Sequence, residues 1–115
     1  MTKEVIIDFN KPPSVYWKSD VKASYLQRQI IIHSIIYYEL SENVINDKMF
    51  DNLCKQLISL SKTMTENEYK KTEYYELFKD FDGSTGFNLY HELSKERQKY
   101  LMNIAMYVLK LSKME

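Results

Sequence analysis

Residues 37–57 read YYELSENVINDKMFDNLCKQL, and the fold is decided there. The stretch joins the end of an apolar segment to the start of an amphipathic one. Asn46 is a good N-cap and Asp47 suits the positive end of a helix dipole, so a helix is predicted from residue 47 to about residue 61. Phe50, Leu53, Cys54, Leu57 and Leu60 then recur at steps of three and four, which puts them on one helical face. Upstream, Val21, Tyr25, Leu26, Gln29 and Ile30 begin a similar stripe. From Ile30 onward the segment is apolar nearly all round, which implies burial on more than one side. A first helix over about residues 20–40, capped by Ser19, accounts for this pattern. The β-branched isoleucines make a buried strand over 30–38 the local competitor, and length together with the polar periodicity before it favours helix.

The rest of the chain fits the same class. Thr65 and Glu68 have capping-box spacing, so a short third helix is expected to start there. A last helix is expected over about residues 95–110, capped by Ser94, with Leu101, Ile104, Ala105, Val108 and Leu111 as its core face. Between them lie Tyr74, Tyr75, Phe78, Phe81, Phe87 and Tyr90, around a DGSTG turn that holds both glycines of the chain, Gly83 and Gly86. Two glycines within four residues suggest positive φ or a close backbone approach. The expected architecture is all-α. It is a compact bundle of three to four helices, with the first two antiparallel and a glycine-containing aromatic loop before the last. Ile30, Ile31, Leu53, Leu57, Leu101, Ile104 and Val108 should be buried. Residues 1–18 read as an irregular lead ended by Pro12 and Pro13, and residues 19–115 as one domain, with the helix pair at about 20–61.

Composition narrows the function. At 115 residues, 44% apolar and 28% charged, the chain can bury a core of its own. Acidic and basic side chains balance at 16 each, seven of each before residue 61 and nine of each after it. Binding driven by phosphate neutralisation, as in most nucleic-acid proteins, is therefore not expected. The single cysteine, Cys54, cannot form an intrachain disulfide, which fits a cytoplasmic setting. The first residues lack the apolar stretch of a signal peptide. The apolar run over 30–36 is too short to span a bilayer.

Few residues carry the chemistry of a reaction. His33 lies in the apolar half of the first helix with no second histidine or cysteine at ligand spacing, and reads as a core histidine. His91 reads as exposed, and Cys54 as a buried small hydrophobe. Asp80, Asp82 and Ser84 stand at positions 1, 3 and 5 of a calcium-type loop. Thr85 replaces the glycine such a loop needs and His91 replaces its final glutamate, so no metal site is expected. The remaining constellation is Tyr37, Tyr38, Asp47, Phe50 and Asp51. Aromatic rings at one helix end near two carboxylates at the start of the next suit a flat, cationic, sugar-bearing ligand. The rings attract a pyridinium, and the carboxylates accept from ribose hydroxyls. The same residues equally describe a packing pair and an ordinary dipole-stabilising first turn.

Over about residues 30–57, without gaps, this pattern resembles the N-terminal helical subdomain of bacterial NAD-dependent DNA ligases. There a Tyr-Tyr pair, a connector, an aspartate and a Tyr-Asp pair hold the nicotinamide mononucleotide (NMN) half of NAD. The resemblance carries the ligand-binding role to Tyr37, Tyr38, Asp47 and Asp51, with Phe50 where the ligases usually have tyrosine. Ser41, Glu42 and Asn43 stand where their connector commonly has a proline. The ligase nucleophile motif is not matched, since Lys79 is one residue too far from Asp82 and Gly83. From about residue 20 onward, including the DGSTGF segment, the chain also resembles small phage-encoded proteins related to these ligases. The resemblance implies a non-catalytic module that needs no cofactor and binds NMN or NAD weakly. The alternative is a phage protein that binds and modulates a host protein, with the nucleotide site vestigial.

Overall fold

The structure, a computed structural model, describes residues 17–81 and 89–114. Residues 1–16 of the expected lead over 1–18, and the DGSTG turn, lie outside the described residues. Within them there are five α-helices and no strand. α1 spans Ser19–Ser34 and runs on into a π-helical turn, Ile35–Glu39. α2 spans Asp47–Thr63 and α3 Glu66–Lys70. α4 spans Tyr75–Phe78, and after a 3₁₀ turn at Tyr90–Glu92 the last helix, α5, spans Lys95–Ser112.

α1 is the centre of the bundle. Ala23, Ile30, Ile31, Ile32, Ile35 and Ile36 have no exposed surface. The helix packs against α2, α3 and α5. Lys22 and Leu26 share a groove with Gln56, Ser59 and Leu60, while His33 and Ser34 lie near Asp47 and Phe50. The two helices are therefore antiparallel. β-Branched isoleucines hold a helix here because burial on every side outweighs their small propensity deficit.

The predicted caps of α2, α3 and α5 are present. The Asn46 side chain accepts from the Met49 amide at 2.8 Å and the Ser94 side chain from the Arg97 amide at 3.3 Å. Thr65 and Glu68 form a reciprocal capping box. Three expectations need correcting. Ser19 is the first helical residue, not the cap, and Lys18 takes the cap position without a side-chain bond. The first helix does not stay α-helical to residue 40. The Leu40 amide donates to the Ile35 carbonyl at 3.1 Å and the Glu42 amide to the Ile36 carbonyl at 3.0 Å, so the last turn is widened. Ser41 then reverses the chain at φ 54°, a left-handed conformation that usually falls to glycine or asparagine. Lastly, Leu53 and Ile104 are only partly buried and Leu111 is exposed. Cys54 and Leu57 form the centre of the α2 face, and Leu101, Ala105 and Val108 that of α5.

A polar clamp fastens the segment after α3 to α1. Gln27, fully buried, donates through Nε2 to Thr72 Oγ1 at 2.9 Å and accepts at Oε1 from the Tyr74 amide at 3.0 Å. Thr72 in turn donates to the Tyr69 carbonyl at 2.7 Å. The Glu73 amide donates to Ser24 Oγ at 3.0 Å, and the Glu73 carboxylate pairs with both Arg28 and Arg97. Arg97 also lies over the Tyr74 ring, 4.7 Å from its centroid. The ion pairs are partly exposed and contribute little each. The buried amide is different, because removing its partner leaves the Tyr74 N–H without an acceptor in a dry site. Gln27→Leu is expected to lower stability by about 2 kcal/mol in urea denaturation, although leucine is close to glutamine in size. A change under about 0.5 kcal/mol would show that these bonds contribute nothing net.

Candidate functional site

The widened turn, the reversal at Ser41 and the capped start of α2 enclose one cleft. Its walls are His33, Ser34, Tyr37 and Tyr38 on the α1 side, Asn43, Val44 and Ile45 on the connector, and Asn46, Asp47 and Phe50 on α2. Its volume is about 150 Å³. An apolar cavity of about that volume holds one benzene-sized ring, so the cleft has room for a six-membered ring and not for a whole nucleotide.

The structure brings together four of the five residues singled out from sequence: Tyr37, Tyr38, Asp47 and Phe50. Tyr37 and Tyr38 are exposed, with rings 4.8 Å apart and inclined at 84°. Only one of two perpendicular rings can lie flat on a planar ligand, and the other then offers its edge. The π-helical turn sets this arrangement, since an extra residue per turn re-aims the side chains that follow it. Phe50, half-buried, lines the cleft from α2, and Asp47 is exposed at the first position of α2. Asp51 stands apart. It lies one turn further along α2, outside the cleft wall, and pairs with Lys55 at 2.9 Å.

Sequence reasoning missed the floor and the connector wall. His33 is 4% exposed, and burial lowers its pKa to about 4, so its imidazole is neutral at pH 7. Ser34 is buried and its hydroxyl donates to the Ile30 carbonyl at 2.7 Å. Both follow Ile30–Ile32 on the most apolar part of α1, and their polarity there was the available signal. Just outside the cleft, the Glu39 carboxylate accepts from His91 Nε2 at 3.0 Å, which ties the 3₁₀ turn to the end of the π-helical turn.

Cys54 and Lys79 are held in states that do not suit a nucleophile. Burial, with the Asp51 charge, pushes the Cys54 thiol up to about 11, which removes its thiolate at neutral pH. Lys79 bonds to Glu76 at 3.1 Å, and that bond raises its pKa and holds it protonated, the opposite of what a nucleophilic lysine needs. Among the described residues no group of three or more His, Cys, Asp or Glu side chains could hold a metal ion. Among them, too, no helix is long and apolar enough to cross a membrane. No protein-family model matches this chain, and neither a curated protein nor a solved structure matches it.

Proposed function

We propose that the cleft between the end of α1 and the start of α2 receives the nicotinamide ring of NMN or NAD, and that the chain is a binding module without a reaction of its own. One observation carries the reading: two tyrosines, a phenylalanine and a carboxylate line a single cleft the size of one six-membered ring. A pyridinium is attracted to an aromatic face, and the Asp47 carboxylate favours its charge and accepts from a ribose hydroxyl. The neutral imidazole of His33 at the floor adds no opposing charge. Ribose and phosphate would lie outside the cleft, so affinity is expected to be weak, with a Kd of roughly high micromolar to millimolar, about 4–6 kcal/mol.

The test is a titration with NMN, NAD and AMP, followed by amide chemical shifts. NMN and NAD should perturb residues 37–38 and 43–50, and AMP should not. Asp47→Asn should weaken NMN binding several-fold, while Asp51→Asn should leave it nearly unchanged, because Asp51 is outside the cleft wall and already paired with Lys55. Equal effects of the two substitutions, or no shifts at millimolar NMN, would refute the reading and favour a protein partner instead. An intact-mass spectrum after incubation with NAD should show no AMP adduct.

A further inference from the structure

The cleft between α1 and α2 suits a compact cation as well as a flat ring. Tyr37, Tyr38 and Phe50 line it with three aromatic side chains, and Val44 and Ile45 add apolar surface from the connector. The Tyr37 and Tyr38 centroids are 4.8 Å apart with the rings inclined at 84°. A flat ligand stacks on only one of two such rings. A sphere set in the angle between them meets both faces. At that spacing a cation about 4 Å from one ring face stands within about 6 Å of the other centroid, inside the range of a cation–π attraction.

The charges favour the same kind of ligand. Among the described residues no lysine or arginine lines the cleft, and Asp47 supplies its carboxylate. Asp47 makes no ion pair among the described residues, whereas Glu39, Glu42 and Asp51 pair with His91, Lys113 and Lys55. Two polar groups of the wall are already engaged. The Ser34 hydroxyl donates to the Ile30 carbonyl, and the Asn46 side chain accepts from the Met49 amide. A primary ammonium would leave N–H donors short of partners against such walls. A quaternary ammonium has no N–H to satisfy.

We infer that the cleft is a binding site for small trimethylammonium compounds of the choline type. A trimethylammonium headgroup is close to benzene in size, and the cleft volume of about 150 Å³ holds a group of that size. The free compound fits better than a lipid-borne headgroup. A lipid carries a phosphate close to the nitrogen, where the Asp47 carboxylate repels it. The inference shares its cleft with the nicotinamide reading but does not rest on that reading, since it needs neither an amide nor a ribose contact.

A titration of the full chain with choline chloride, against sodium chloride at equal ionic strength, tests it. Choline should shift the amides of residues 37–38 and 43–50. Its neutral isostere, with carbon in place of nitrogen, should bind about ten-fold more weakly. Tyr37→Leu, at an exposed position, keeps an apolar side chain and removes one ring. It should weaken choline several-fold and leave the isostere unchanged. Equal affinity for choline and the isostere overturns the proposal, and so does no shift at about 20 mM choline. Equal loss of both ligands in Tyr37→Leu overturns it as well. The chain should not co-sediment with phosphatidylcholine vesicles, and co-sedimentation overturns the assignment to a free compound. Choline binding without NMN binding supports this site and refutes the nicotinamide reading alone, while NMN binding without choline binding refutes this site alone. Where both bind, choline should displace NMN, and simultaneous binding of the two overturns the proposal.

Discussion

Leu57→Ala is expected to destabilise the chain by about 2–5 kcal/mol, a large part of the 5–15 kcal/mol typical of a domain. Leu57 is 1% exposed, at the middle of the α2 face that meets α1. Truncation removes apolar burial and leaves a void. Isoleucines on α1 are poorly placed to fill it, because their own positions are fixed by contacts on several sides. With a urea dependence of about 1–2 kcal/mol per molar, the denaturation midpoint should fall by at least 1 M. Leu60→Ala, at a half-buried position on the same face, should lose distinctly less. Equal losses at the two sites, or a negligible loss at Leu57, would mean that the centre of the α2 face lies elsewhere.

Local signals were legible in the sequence wherever they are decided by neighbours in the chain. Asn46, Thr65 and Ser94 cap helices because a short polar side chain reaches an amide two or three residues ahead, and that depends on nothing distant. The apolar surround of Ile30 to Ile36 likewise implied burial on more than one side. The features that escaped reading are set at long range. Gln27 looks like a solvent-facing residue, and its partners lie 45 and 47 positions away. The π-helical turn depends on Leu40 and Glu42 reaching back to Ile35 and Ile36, which no periodicity announces. Leu111 was assigned to the core because α5 carries apolar residues over more than half its circumference, and pattern alone does not say which part of so wide a face is covered. For the candidate site, the sequence brought out the aromatic pair, Asp47 and the burial of His33, but not that His33 lines the cleft. The separation of Asp51 could have been read from Lys55 four residues on, a spacing that favours an ion pair along the helix surface.

His33 makes the fold sensitive to acid in a window that can be stated. Its folded pKa is lowered to about 4 by burial, against 6.5 for an unburied histidine. Below about pH 6.5 the unfolded chain takes up a proton that the folded chain refuses, so protonation favours unfolding. The stability that His33 contributes in its neutral form is complete above pH 6.5, falls as the pH drops toward 4, and falls no further below that. The whole effect is about 3 kcal/mol, from the conversion of a pKa difference to free energy. Carboxylates elsewhere also titrate near the lower end of this range, so the comparison must be with a chain that lacks only this group. His33→Gln supplies a polar side chain of similar size that does not titrate. Urea denaturation of both chains between pH 7.5 and 4 should give curves that diverge as the pH falls, the wild type losing about 3 kcal/mol more than the variant. The divergence should begin near pH 6.5, above the range where most carboxylates protonate. Parallel curves would mean that the imidazole keeps access to water or an acidic partner in the folded chain, and that the floor of the cleft is not the dry, neutral surface its burial implies.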